Sequence, residues 1–129
     1  MLRDYVRNLC LELELDPKGF ETDDPNIYAF RVDQDLTVDM AQVSEGIFLM
    51  AVLSESPTRD EESVYFETVN ANLWGQATYG NVIGMTDDSK FMTLSRYIEY
   101  DTSYQDFRTI LEDFLNAASF WQKKIKAHV

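Results

Sequence analysis

Apolar side chains recur at Leu2, Tyr5, Val6, Leu9 and Leu13, the spacing of one helix face, before Asp16-Pro17-Lys18-Gly19 supplies a stop and a turn. This predicts a first helix over roughly residues 2–14. Cys10 sits four residues beyond Val6 and suits the same face as a small hydrophobe. After Asp23-Asp24-Pro25-Asn26 the period becomes two, with Tyr28, Phe30 and Val32 on one side of a strand and Asp33-Gln34-Asp35 as a tight connection. The next strand alternates Leu36, Val38 and Met40 with Thr37, Asp39 and Ala41, the mark of a half-buried antiparallel strand. Ser44-Glu45-Gly46 turns the chain again. The third strand, Ile47 to Leu53, is apolar on both faces, so each face needs a cover: the core on one, and on the other a second layer, a subunit interface or a bound partner.

Ser56-Pro57-Thr58-Arg59-Asp60-Glu61 reads as a helix start, with Thr58 as N-cap, Glu61 completing a capping box and acidic residues at the positive end of the dipole. The second helix runs through Val64, Phe66, Val69 and Leu73 and is expected to end near Gly75. Two strands follow, Asn81 to Thr86 and Phe91 to Ile98, joined as a hairpin at Asp87-Asp88-Ser89-Lys90. From Ser103 the helical period returns in Phe107, Ile110, Leu111, Phe114, Ala118, Trp121 and Ile125, with Lys123, Lys124 and Lys126 at the negative end of the dipole. The order is helix, three strands, helix, two strands, helix. It argues an α+β fold, a twisted antiparallel sheet with helices packed mainly on one face, in one domain spanning residues 1–129.

Composition narrows the partners. The net charge of -12 repels phosphate backbones and anionic lipids, so neither nucleic acid nor a membrane is an expected partner. Acidity serves solubility in the plain reading, and attraction to a basic partner segment in the sharper one. One cysteine cannot form an internal disulfide, and Met1-Leu2-Arg3-Asp4 lacks the basic-then-apolar run of a signal peptide, so a reducing cytoplasm is the expected compartment.

Candidate chemistry is sparse. The only histidine, His128, is next to the last residue of a terminus expected to fray. Asp87-Asp88 fits a polar hairpin turn better than a calcium loop, because Lys90 and Phe91 occupy the continuation where ligands would alternate. Asp60-Glu61-Glu62 suits a solvated helix start better than a catalytic carboxylate pair, which needs one member desolvated. No catalytic residue, metal site or cofactor is expected, and the chain reads as a binding protein rather than an enzyme. The prominent feature is apolar: 7 Tyr, 8 Phe and 2 Trp, with Met40, Met50, Met85 and Met92 all on predicted strands. Methionine and aromatic residues recur at adaptable protein-binding surfaces.

The stretch Asn70-Ala71-Asn72-Leu73-Trp74-Gly75-Gln76-Ala77-Thr78-Tyr79-Gly80-Asn81-Val82-Ile83-Gly84-Met85 resembles the most recognisable segment of the class I type III secretion chaperones, the Tir chaperone family. There an Asn-Leu-aromatic-Gly helix end leads through a Gly-rich turn into a strand. Ser95-Arg96-Tyr97-Ile98, Asp106-Phe107 and Leu111 to Ala118 with Trp121 are similar to the family's closing strand and final helix. Tyr79 departs from the pattern, where a smaller residue is usual.

The resemblance implies a homodimer, or a pairing with a related chaperone, that binds the N-terminal, largely unfolded region of secreted effectors. It also admits the export ATPase as a partner. Carried onto this chain, it places effector contacts at Leu2, Tyr5, Leu9, Tyr28, Phe30, Leu36, Ile47 and Leu49, and the dimer contact at Trp74, Val82, Ile83 and Met85. Two rivals stand beside it: an interaction module of the same fold outside secretion, and a small-molecule-binding or enzymatic α+β domain, which would need an enclosed pocket with convergent polar groups.

Overall fold

The computed structural model describes residues 1–74 and 80–129, with the Trp74 side chain also outside the described set. Its elements are α1 (Leu2–Leu13), a 3-10 turn (Pro17–Phe20), β1 (Ile27–Asp33), β2 (Leu36–Val43), β3 (Gly46–Glu55), α2 (Glu61–Trp74), β4 (Val82–Met85), β5 (Phe91–Glu99) and α3 (Tyr104–Lys126). The five strands form one antiparallel sheet in the order β1-β2-β3-β5-β4, which puts β3 at the centre and β1 and β4 at the edges. This is the expected fold class and element order. The expected end of the second helix near Gly75 and the departure at Tyr79 lie outside the described residues.

The core forms between the sheet and the helices. Leu36, Val38 and Met40 of β2, Ile47, Leu49, Ala51 and Leu53 of β3, and Met92, Leu94 and Ile98 of β5 meet Leu2, Val6, Leu9 and Cys10 of α1 and Phe107, Leu111, Phe114, Ala118, Trp121 and Ile125 of α3. Helix α3 starts on Ser103, whose side chain accepts from the Asp106 N–H at 3.1 Å, and its buried positions keep the helical period from Phe107 to Ile125, about five turns. Gln42 joins α1 to the sheet: its Oε1 accepts from the Leu2 N–H at 2.8 Å, and its Nε2 donates to the Gly46 carbonyl at 2.9 Å. Gly46 must be glycine, because a Cβ there would lie 2.0 Å from the Ile98 carbonyl oxygen. Helix α1 ends one residue earlier than expected, at Glu14 in the left-handed region (φ 56), and Leu13 turns out to solvent.

Three local expectations change. The Thr58 cap does not form and α2 begins at Glu61, because the Thr58 and Arg59 N–H groups both donate to the His128 carbonyl, at 2.8 and 2.9 Å. The chain end is correspondingly pinned and not frayed. The Arg59 guanidinium reaches the Ala127 and Val129 carbonyls, and His128 Nδ1 lies 3.5 Å from Asp60. The apolar period of α2 belongs largely to its outer face: Val64, Thr68 and Ala71 turn inward, whereas Phe66, Val69 and Leu73 are exposed. Asp88 is consumed by its turn, as a polar hairpin requires, with Oδ1 accepting from the Thr86 hydroxyl at 2.6 Å and the Lys90 N–H at 3.0 Å. Those two hydrogen bonds hold its carboxyl below the ordinary carboxylate value.

Candidate interaction surfaces

Pairing register assigns each side chain of the sheet to a face, since residues paired across strands point the same way. One row runs Ile27, Ala41, Phe48, Tyr97, and the next runs Ala29, Asp39, Met50, Ser95, Val82. These rows lie on the side away from α1 and α3. No helix covers them among the described residues: Phe48 is 36% exposed, Val52 41%, Tyr97 45% and Val82 55%. The opposite side of the same central strand is sealed, with Ile47 and Leu49 at 0%. The third strand thus has two apolar faces and one intramolecular cover.

A second apolar surface lies on α2. Phe66, Val69 and Leu73 follow the i, i+3, i+7 spacing of one helical stripe and are 69%, 54% and 74% exposed. The helix is fastened beside the sheet edge by Asn72, whose amide Nδ2 donates to the Ile83 carbonyl and whose Oδ1 accepts from the Ile83 N–H, both at 2.8 Å. This pair of hydrogen bonds occupies backbone groups of edge strand β4 that would otherwise be open to another strand. On the far side of the helix, Lys124 pairs with Glu67 at 3.0 Å.

The structure divides the residues singled out from the sequence. Leu2, Leu9, Leu36, Ile47 and Leu49 are core side chains, 0–6% exposed in the free chain. Burial against α1 and α3 is the stronger claim on large aliphatic residues. Tyr5, Tyr28 and Phe30 remain partly exposed at the margin of the core. The Tyr5 hydroxyl donates to the Thr102 carbonyl while its ring lies 5.2 Å from that of Phe107, and Phe30 stacks on Phe20 at 5.1 Å. A cleft of about 350 Å³ opens beside Tyr28, lined by Arg3, Glu21 and the Asp23 to Ile27 segment.

Of the four residues placed at the dimer contact, Val82 and Met85 are exposed, Ile83 points into the core at 4%, and the Trp74 side chain lies outside the described residues. Sequence reasoning missed the surface positions Phe48, Val52 and Tyr97 on the sheet and assigned Phe66, Val69 and Leu73 to a generic helix period. The signal was present in the alternation of β3, which defines two apolar sets without saying which one faces the helices.

The arrangement offers broad apolar contact. The described clefts are polar, and the apolar groups lie on open surfaces. Asp39, on the open sheet face, has its carboxyl raised above the ordinary value, with burial among its neighbours as the cause. No helix among the described residues is long and apolar enough to cross a membrane.

Several solved structures are similar in fold. The ExsC–ExsE complex contains a chain that superposes with a TM-score of 0.76 at 16% identity, covering 96% of this chain and 92% of that one. The HopA1–SchA chaperone–effector complex gives 0.71 at 16% identity over 95% and 93%. The Yersinia pestis type III secretion chaperone SycH, in complex with a fragment of YscM2, gives 0.70 at 15% identity over 94% and 99%. In sequence, a Chlamydia pneumoniae protein is 25% identical over 123 residues, covering 94% of this chain and 93% of its own. The model of the Tir chaperone protein (CesT) family matches residues 5–122, and the chain belongs to that family.

Proposed function

We propose that this protein is a cytoplasmic type III secretion chaperone. It binds the N-terminal, non-globular chaperone-binding region of a secreted effector and keeps that region soluble and export-competent until it reaches the export apparatus. One observation carries the reading: the central strand presents Phe48, Met50 and Val52 on a face that, among the described residues, no helix covers, opposite a sealed face of similar composition. Contiguous exposed apolar rows of this kind mark sites that await a partner. An unfolded effector segment suits them, because an extended polypeptide can lay alternate side chains on a sheet surface. Ordering such a segment costs several kcal/mol, which only a broad contact offsets. Family membership and the likeness to chains solved in chaperone–effector complexes support the same conclusion. Holding and delivery are binding steps, and no catalytic group is called on.

The working unit is a dimer, of this chain with itself or with a related chaperone. Its interface is the α2 stripe of Phe66, Val69 and Leu73 with Met85 beside it and Val82 at the β4 end of the open sheet face, where it borders the rows around Phe48. The effector contact extends from the open face to Tyr5, Tyr28 and Phe30 at the core margin.

Co-expression with candidate effector N-termini tests the reading. The expected product is a stable complex of two copies of this chain with one effector segment, measured by light scattering on the eluted peak. A monomer that captures none of the segments overturns it.

A further inference from the structure

The open face mixes apolar side chains with Thr37, Thr93 and Ser95, and carries one carboxylate, Asp39 of β2, beside its apolar stretch on β3. Asp39 lies between Ala29 on β1 and Met50 on β3 in the same cross-strand row, with Thr37 and Ala41 on either side along β2. Phe48 and Val52 flank Met50 on β3, so the exposed carboxylate has an apolar neighbour strand on that side. Among the described residues no cation lies within ion-pairing distance of it. Arg31, the nearest base on that face by register, turns its Nε to the Asp33 carbonyl at 3.3 Å, and Asp35 already pairs with Lys126 at 3.4 Å. Gln34, Asp35, Thr37, Asp39 and Val52 line a shallow recess of about 310 Å³, which has one aliphatic wall and several oxygen acceptors at its rim.

An aspartate is a poor strand residue, and desolvation by its neighbours already disfavours its charge. Covering this face with a purely apolar partner would worsen that penalty, because a buried carboxylate without a counter-charge is costly. A second copy of the chain is also a poor cover. In a symmetric pairing through this face it would offer its own Asp39 to the same dry interface, carboxylate toward carboxylate. The recess instead has the form that a long basic side chain fills: the aliphatic stem lies on Val52 and the head group meets Asp39 and Thr37.

Resting on the chaperone reading above, we propose that the Asp39 recess receives a lysine or arginine of the bound polypeptide, whose neighbouring apolar side chains lie on Phe48 and Val52. The carboxylate then sets the register of an otherwise slippery apolar contact and rejects segments that place an acid there.

The test is selection from a library of displayed random peptides, long enough to cross the sheet, on the wild-type protein and on Asp39→Asn, Asp39→Lys and Phe48→Ser. Calorimetry then measures the binding of synthesised winners, and thermal melts show that each variant is folded. Wild-type winners are expected to carry a basic residue at a fixed distance from an apolar pair. They should bind Asp39→Asn and Phe48→Ser about tenfold more weakly, and Asp39→Lys should select an acid at the same position. Apolar winners that bind wild type and Asp39→Asn alike would defeat this inference and leave the chaperone reading standing. If no form of the protein selects any peptide, the chaperone reading fails and this inference with it. Conversion of the dimer to monomer by Phe48→Ser would assign the face to a second copy and also defeat it.

Discussion

The two faces of β3 are built from the same kinds of residue and do different work. Ile47, Leu49, Ala51 and Leu53 face α1 and α3 and are 0–1% exposed, whereas Phe48 and Val52 on the reverse are 36% and 41% exposed. A strand flanked on both sides by other strands satisfies its backbone hydrogen bonds whichever way its side chains point, so covering one face is enough to fold it. The second apolar face adds nothing to the monomer's core. If, as proposed, it is the surface that receives a partner, mutations on the two faces should separate stability from binding.

The largest contrast lies within one pair of adjacent residues. Leu49→Ala removes a fully buried side chain and is expected to cost about 2–5 kcal/mol, read as a lowered denaturation midpoint. Phe48→Ser should change stability by less than about 1 kcal/mol while weakening capture of the effector segment in a pull-down. Equal stability losses would mean that the outer face is already covered in the free protein, and the contrast would collapse.

Asn72 tests a different seam, the one between α2 and the β4 edge. Asn72→Ala removes both hydrogen bonds to Ile83 and leaves its N–H and carbonyl for water or another strand. The expected loss is about 1–3 kcal/mol in chemical denaturation, together with concentration-dependent species larger than a dimer, since an unprotected edge templates strand pairing. An unchanged melt and a clean dimer would show that the clamp is dispensable.

The α2 stripe should respond in the opposite sense to the core. Phe66→Glu and Val69→Glu place charge on exposed positions, so the fold is expected to survive, with circular dichroism unchanged. Self-association should fall by at least about tenfold in sedimentation equilibrium, because a charge would be buried without a partner in the dimer. Dimers that persist in the double variant would move the interface elsewhere, with the rows around Phe48 as the next surface to test.

Legibility in the sequence follows the range of the interactions concerned. Helix α3 could be read because its buried stripe repeats from Phe107 to Ile125 in one uninterrupted segment, and the hairpins because turn residues such as Asp33 and Asp88 act on neighbours two positions away. Thr58 was misread as a cap because the partner that takes its N–H, the His128 carbonyl, lies at the far end of the chain. The candidate site suffered the same way. Alternation separates Ile47 and Leu49 from Phe48 and Val52, but only the long-range packing of α1 and α3 decides which set is hidden. The strand positions carried over from a family resemblance inherited that ambiguity, and Leu36, Ile47, Leu49 and Ile83 face the core.

The smallest effect is also the one that reports on the open face without a partner in hand. Burial among its neighbours raises the Asp39 carboxyl above the ordinary aspartate value of 3.8 in the folded protein. Between that value and the raised one, the folded state binds more protons than the unfolded state, so the Asp39 contribution to stability falls as pH rises through the window. Asp88 shifts the opposite way, its stabilisation being lost as pH falls, but it is common to wild type and Asp39→Asn and cancels in their difference. The wild-type minus Asp39→Asn stability difference should therefore decline as pH rises from just below 3.8 and level off above the window. A flat difference would mean that Asp39 is fully hydrated and the face around it is not apolar enough to select a partner. A bound segment that supplies a cation should reverse the sign, drawing the carboxyl down so that affinity weakens as the solution is acidified. The same residue then titrates in opposite directions in the free and the occupied protein, which distinguishes a face that is merely exposed from one shaped for a basic ligand.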